Sequence, residues 1–214
     1  MSSNSSVKDA VRTAAVDLFA RHGFANTSVQ QIVEAAGVTK GAMYHYFRSK
    51  DDLLFGIYDH LLTLQGEHLA AIVATGDTTA QKLRAACIDV IETSIEFLDE
   101  GTVFFHSAHL LPAEKQFEVK QRRRVYNDQF AALLEAGQRE GKYRIDIPRA
   151  VLVANFFSDL HYLPQWYSAD GPEDSSLIAA QLTDLFLAGI STAPALSKSA
   201  LSKSALSKSS LSIP

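Results

Sequence analysis

Thr27 to Leu53 reads TSVQQIVEAAGVTKGAMYHYFRSKDDL, and within it a short helix, a glycine turn, a second short helix and the start of a third follow without spare residues. Ser28 is placed to cap the first helix, and Gln31 three positions later completes a capping box. Ile32, Val33 and Ala36 supply the apolar side of that helix. Gly37 ends it, because glycine takes the left-handed backbone of a sharp turn at little cost. Val38 plugs the corner, and Thr39 caps the next helix, Lys40 to Phe47. That helix is too short to stand alone in water. It is built to be held by its neighbours and pressed into something else.

This is the order of a helix-turn-helix that reads DNA. A recognition helix meets the major groove with its first residues, while amide ends and flanking polar groups hold phosphates. Gly41 and Ala42 are small enough for close approach. Lys40, Tyr44, His45 and Tyr46 fall on or near the open face, whereas Met43 and Phe47, four apart, share a stripe that points to the core. Lys50 is expected to reach a phosphate, and Thr27 and Ser28 to offer hydroxyl and amide donors to the backbone.

The charge distribution agrees. Residues 1–50 hold Lys8, Arg12, Arg21, Lys40, Arg48 and Lys50 against Asp9, Asp17 and Glu34, a net +3 in a chain of net −4. Such asymmetry joins a nucleic-acid module to something that is not one. The 214 residues, 47% of them apolar, suffice for one small and one medium domain. No run approaches the roughly 18 to 20 apolar residues of a membrane span, and MSSNSSVKD lacks the apolar stretch of a signal peptide. A cytoplasmic protein is expected. Cys87 is the single cysteine, set in an apolar helical stretch and read as a core residue.

These residues resemble the DNA-binding domain of the TetR family of transcriptional regulators. The resemblance covers residues 7–55: the helix Val7 to His22 with Ala14, Ala15, Leu18 and Phe19 on one side, the Gly23-Phe24 stop, Thr27-Ser28-Val29, Ile32, Ala35 to Val38, and the ending Tyr44, Phe47, Lys50, Leu53. It implies DNA contacts at Thr27, Ser28, Thr39, Lys40, Gly41, Tyr44, His45 and Lys50. It also implies that the last two helices pair with their copies in a second subunit, and that the middle helices enclose a ligand cavity. Two recognition helices must in any case reach successive major-groove faces about 34 to 36 Å apart on a pseudo-palindrome, so a homodimer is expected.

Past residue 50 the pattern is helical throughout. Helices are predicted from Ser49 to about Val73, Thr79 to Leu98, Thr102 to Leu111, Ala113 to Glu140, from an Asp146 cap toward Tyr162 with Pro164 kinking or ending it, and from Ser175 to Ile190. The fold class is all-α, about nine helices. Its parts are a helix-turn-helix domain at 1–50, a helical ligand-binding and dimerisation domain at 51–192, and a low-complexity tail at 193–214. In that tail an Ala-Leu-Ser-Lys-Ser unit starts at Ala195, Ala200 and Ala205, a composition that favours disorder.

The aromatic residues of the second domain suit an apolar pocket. Phe97, Phe104, Phe105, Tyr126, Phe130, Tyr162 and Trp166 are candidate ligand contacts. The run Gln121-Arg122-Arg123-Arg124 is its strongest charge feature, and arginine suits anionic groups by bidentate geometry. Residues 117–190, through Arg122, Tyr126, Phe130, Leu134, Gly137, Gly141, Arg144 and Trp166, also resemble the acyl-CoA-responsive members of the family, which makes Arg122 and Trp166 the contacts expected for such a ligand. No cofactor or metal is expected: His106 and His109 stand without a cysteine cluster or helical carboxylate. Nor does any nucleophile motif, Gly-rich phosphate loop or zinc signature point to an enzyme. The expected function is a ligand-responsive homodimeric repressor released from its operator by a hydrophobic small molecule, an acyl-CoA included. A DNA-binding activator fits the same residues, and a helical carrier or enzyme that ignores DNA fits fewer.

Overall fold

The computed structural model describes residues 3–168, 171 and 174–192, with the backbone alone for residues 3–6. The repeat from Ala195 onward, and Ala169, Asp170 and Pro172 of the expected turn, lie outside the described residues. Among the described residues nine α-helices follow in order: α1 (Ser3–His22), α2 (Val29–Ala35), α3 (Lys40–Tyr46), α4 (Lys50–Ala74), α5 (Thr79–Glu96), α6 (Leu98–Ser107), α7 (Ala113–Arg139), α8 (Arg149–Trp166) and α9 (Ser175–Ile190). A 3-10 turn, Ala108–Leu110, follows α6. Among the described residues the only β-type pairing is one antiparallel bridge between Tyr143 and Ser191, and no helix is long and apolar enough to cross a membrane.

Local chemistry accounts for most helix starts. The Ser28–Gln31 capping box is formed, Thr39 Oγ1 accepts from Ala42 N–H at 3.1 Å, and Ser49 Oγ accepts from Asp52 N–H at 3.0 Å. Gly37 carries the helix-turn-helix corner at φ 65°, a conformation that would strain any residue with a Cβ. Three expectations need correction. Asp146 does not cap α8, which starts behind Pro148 with no side-chain cap. Its carboxylate forms a fork with Arg144, at 2.8 and 2.6 Å, which holds its pKa down at about 2. The helix expected from Thr102 begins at Leu98, because the chain bends only at Phe97 (φ −107°, ψ 37°) between α5 and α6. Pro164 does not end α8 at once: the helix runs two residues on, to Trp166, and the missing N–H falls in its last turn.

Two apolar clusters organise the helices. One joins Phe19, Ile32, Met43 and Phe47 of α1 to α3 and its following residue with Leu53, Leu54, Ile57 and Tyr58 of α4, Val103 and Phe104 of α6, and Val119 of α7. The other joins Leu69 of α4 with α5, α7, α8 and α9 around Leu83, Ile91, Phe130, Leu134, Phe156 and Leu163. The first cluster crosses residues 50 and 51 without a gap, so the reading head is packed onto the rest of the molecule through α4 and α6. Cys87 lies fully buried in the second, where burial pushes its thiol pKa up.

Candidate functional site

α3 presents one face to the interior and one to solvent, as its four-residue spacing requires. Met43 is fully buried and Phe47 nearly so, whereas Tyr44 is 48% exposed. Ser28, Thr39, Lys40, Gly41 and His45 are exposed around it, and His45 meets Tyr46 edge to face at 4.9 Å. Six of the expected DNA contacts, Tyr44 included, are thus exposed on the helix-turn-helix.

Thr27 and Lys50 do not join them. Thr27 is 1% exposed, and its hydroxyl donates to Gly23 O at 2.9 Å and stands 3.2 Å from Leu18 O, closing the end of α1. Lys50 Nζ donates to Phe24 O at 2.7 Å and Thr27 O at 2.8 Å, with Ala25 O at 3.4 Å, and lies over the Phe24 ring at 4.5 Å. Loop carbonyls outside a helix ladder need donors, and the ammonium supplies them to the segment between α1 and α2. Lys40 and Arg48 are exposed cations near the two ends of α3. Arg48, two residues past the end of α3, is not among the expected contacts.

Gly41 offers a way to probe contact without disturbing the fold. A Cβ built there meets only Thr39 Oγ1 at 3.8 Å, an ordinary contact. Gly41→Ala should leave the melting temperature unchanged or raise it, since alanine favours helix by about 0.8–1 kcal/mol over glycine. Operator affinity should nevertheless fall about tenfold, the scale of one disturbed interface contact. Equal affinity measured by anisotropy would remove Gly41 from the interface.

The second site is an apolar cavity of about 60 Å³ between α4, α5, α6, α7 and α8. Tyr58, Leu61, Leu62 and Gln65 come from α4, Val90 and Ser94 from α5, Gly101 and Phe105 from α6, Arg123, Tyr126 and Asn127 from α7, and Phe157, Leu160, His161 and Pro164 from α8, with Phe97 and Leu98 at the α5–α6 bend. No carboxylate lines it. Gln65 is held by Thr93 Oγ1 at 2.9 Å. The volume is room for a water or two, so a ligand enters only by moving helices.

Of the expected ligand contacts, Phe97, Phe105 and Tyr126 reach this cavity. Phe104 instead stacks on Tyr58 (3.9 Å, 7°) and Phe130 on Phe156 (5.0 Å, 13°), both in filled core. Tyr162 is 69% and Trp166 55% exposed on the outer face of α8. Arg122 turns toward α4, its Nη1 2.7 Å from Asp59 Oδ1. The guanidinium in the cavity wall is that of Arg123, 3.2 Å from His161 Nε2. Burial and this guanidinium lower the His161 pKa to about 4, so the imidazole is neutral at physiological pH and accepts from Arg123. Among the described residues no three His, Cys, Asp or Glu side chains stand close enough to share a metal ion.

Comparison with known proteins follows this division. Residues 11–57 match the sequence profile of the bacterial regulatory proteins of the tetR family, and residues 76–190 that of the tetracyclin repressor-like C-terminal domain. The HTH-type transcriptional repressor KstR2 of Rhodococcus jostii is 30% identical over 192 residues, covering 83% of this chain and 88% of that protein. The TetR-family regulator PfmR of Thermus thermophilus superposes with a TM-score of 0.75 at 24% identity, over 85% of this chain and 99% of that one. AibR, solved with isovaleryl coenzyme A and operator DNA, superposes with a TM-score of 0.71 at 23% identity, over 84% and 97%. At those identities the two structures share the fold.

Proposed function

The chain belongs to the TetR family of bacterial regulatory proteins; we propose that it is a ligand-responsive transcriptional repressor that binds a pseudo-palindromic operator as a homodimer and leaves it when a small apolar molecule occupies the cavity. The observation that carries this reading is the continuity of α4. One unbroken helix from Lys50 to Ala74 places Leu53, Leu54 and Ile57 in the core of the reading head and Tyr58, Leu61 and Gln65 in the cavity wall. A ligand larger than the cavity must displace α4, α6 or α7, and packed interfaces answer such a push by switching arrangement rather than deforming smoothly.

Two ion pairs keep α4 and α7 in register. Lys115 Nζ stands 3.2 Å from Asp52 Oδ1, and Arg122 pairs with Asp59 seven residues further along both helices. Each contributes at most about 1 kcal/mol at these exposures, but together they transmit a shift of α7 to the helix that begins at the reading head. The dimer is supported by the outer faces of α8 and α9, where Tyr162, Trp166, Leu177 and Leu185 are all more than half exposed. An apolar face of this kind needs a cover, and two-fold pairing supplies one while setting the spacing of the recognition helices.

Operators selected from a randomised duplex pool test both points. They should be two-fold related in sequence. Affinity for them should fall about ten- to hundredfold, a coupling of about 1–3 kcal/mol, in the presence of an active member of a panel of apolar acids, esters and acyl-CoA thioesters. Affinity unchanged across the panel would sink the release mechanism, and selected sites without two-fold symmetry would sink the dimer.

A further inference from the structure

The cavity wall contains a cation with no carboxylate partner among the described residues. Of the three consecutive arginines of α7, Arg122 pairs with Asp59 and Arg124 with Asp128 at 3.7 Å. Arg123 pairs with no carboxylate among the described residues. Its contacts there are His161 Nε2 at 3.2 Å and the Phe105 ring at 5.7 Å. Arg123 is half-buried at the edge of this apolar wall, where an anion would form a stronger, charge-assisted fork with it than water does, and no Asp or Glu lines the cavity to take that place. The neighbouring groups are donors or neutral: His161 accepts from Arg123 through Nε2, which leaves Nδ1–H free to donate, and Asn127 lines the same wall. Around them the surface is Leu61, Leu98, Phe105, Phe157 and Leu160.

We propose that this cavity takes a small apolar monocarboxylate, its carboxylate forked by Arg123 and touched by His161, with its hydrocarbon part between α4, α6 and α8. The proposal rests on the reading of the cavity as the effector site and specifies the ligand's chemistry. The arrangement also explains how such a ligand would be felt outside. Arg123 adjoins Arg122 on α7, so drawing its guanidinium inward rotates or shifts the segment that holds Asp59 of α4. The carboxylate could belong to a free acid, or its place could be taken by the thioester carbonyl of an acyl-CoA. The charge of Arg123 favours the free acid, whose carboxylate completes a charge-assisted fork that a neutral thioester carbonyl cannot.

Calorimetric titration of the full chain with hexanoate, octanoate and cyclohexanecarboxylate, with their methyl esters, and with hexanoyl-CoA separates these sources. At least one acid should bind, and its ester at least about tenfold more weakly, the effect of losing a charge-assisted hydrogen-bonded pair. Arg123→Gln should erase the difference between acid and ester, whereas Arg122→Gln should preserve it. Should Arg123→Gln fail to fold, Arg123→Lys keeps the charge without the fork, and the comparison of acid with ester on the unaltered protein stands by itself. Equal binding of acid and ester, binding of hexanoyl-CoA alone, or no binding of any acid overturns the proposal. Operator binding by the same ligand-free preparation tests the repressor reading separately: a protein that holds its operator and ignores all acids loses this proposal and keeps that reading.

Discussion

Gly137→Ala should lower stability by about 2 kcal/mol, roughly 4–8 °C in melting temperature, although alanine is the better helix former by about 1 kcal/mol. Gly137 lies within α7, and a Cβ built on it would stand 2.2 Å from both Cδ2 and Cε2 of Tyr143. The ring cannot simply step aside. Tyr143 is 5% exposed, and its backbone is fixed on both sides: Lys142 N–H donates to Gly137 O at 2.9 Å, Arg144 N–H to Ile190 O at 2.8 Å, and Thr192 N–H to Lys142 O at 3.1 Å. Moving the ring therefore loosens the strap that ties the end of α9 to the end of α7. Because the clash needs both partners, Tyr143→Ala in the Gly137→Ala background should cost less than the two single losses added together. Thermal denaturation of the three variants checks this; a Gly137→Ala protein as stable as the parent would mean that the Tyr143 ring relocates freely.

What was legible in the sequence was local. The caps of Ser28, Thr39 and Ser49 lie within three residues of the amides they serve, and the division of Met43 and Phe47 from Tyr44 follows from helical periodicity alone. What was not legible depends on which neighbour a helix meets. Three adjacent pairs make the point: Arg122 and Arg123, Phe104 and Phe105, His161 and Tyr162. In each, successive residues point about 100° apart around a helix. The cavity receives Arg123, Phe105 and His161, while Arg122 meets α4, Phe104 stacks on Tyr58 and Tyr162 faces solvent. Arg122 and Arg123 flank the buried stripe of Val119, Tyr126 and Phe130 on opposite sides, so periodicity admits both. The position of α8 decides between them, and no local pattern encodes it. The division at residue 50 has the same character: the motif ends there, but the apolar cluster that supports it continues through α4 into α6.

Lys50 is the sharpest case, because its sequence position suggests a phosphate contact and its geometry gives it another task. Lys50→Met should destabilise the protein by about 1–2 kcal/mol, since it removes an ionised donor from the Phe24 and Thr27 carbonyls, while the methionine keeps most of the contact with the Phe24 ring. Operator affinity should drop as the loop between α1 and α2 loosens and Ser28 loses its fixed position. The slope of log affinity against log salt concentration should stay as it was, because no phosphate partner has been lost. Arg48→Gln should do the reverse. Arg48 is exposed and gives only its backbone N–H to Asp52, at 3.0 Å, so the melting temperature should hold while the salt slope falls by about one counterion. Anisotropy titrations at several salt concentrations, with melting curves for both variants, separate the two roles. If Lys50→Met flattened the salt slope and left the melting temperature alone, the ammonium would have to leave its three carbonyls for a phosphate on binding. The α1–α2 loop would then be a part that the operator reorganises rather than one the protein presents ready-made.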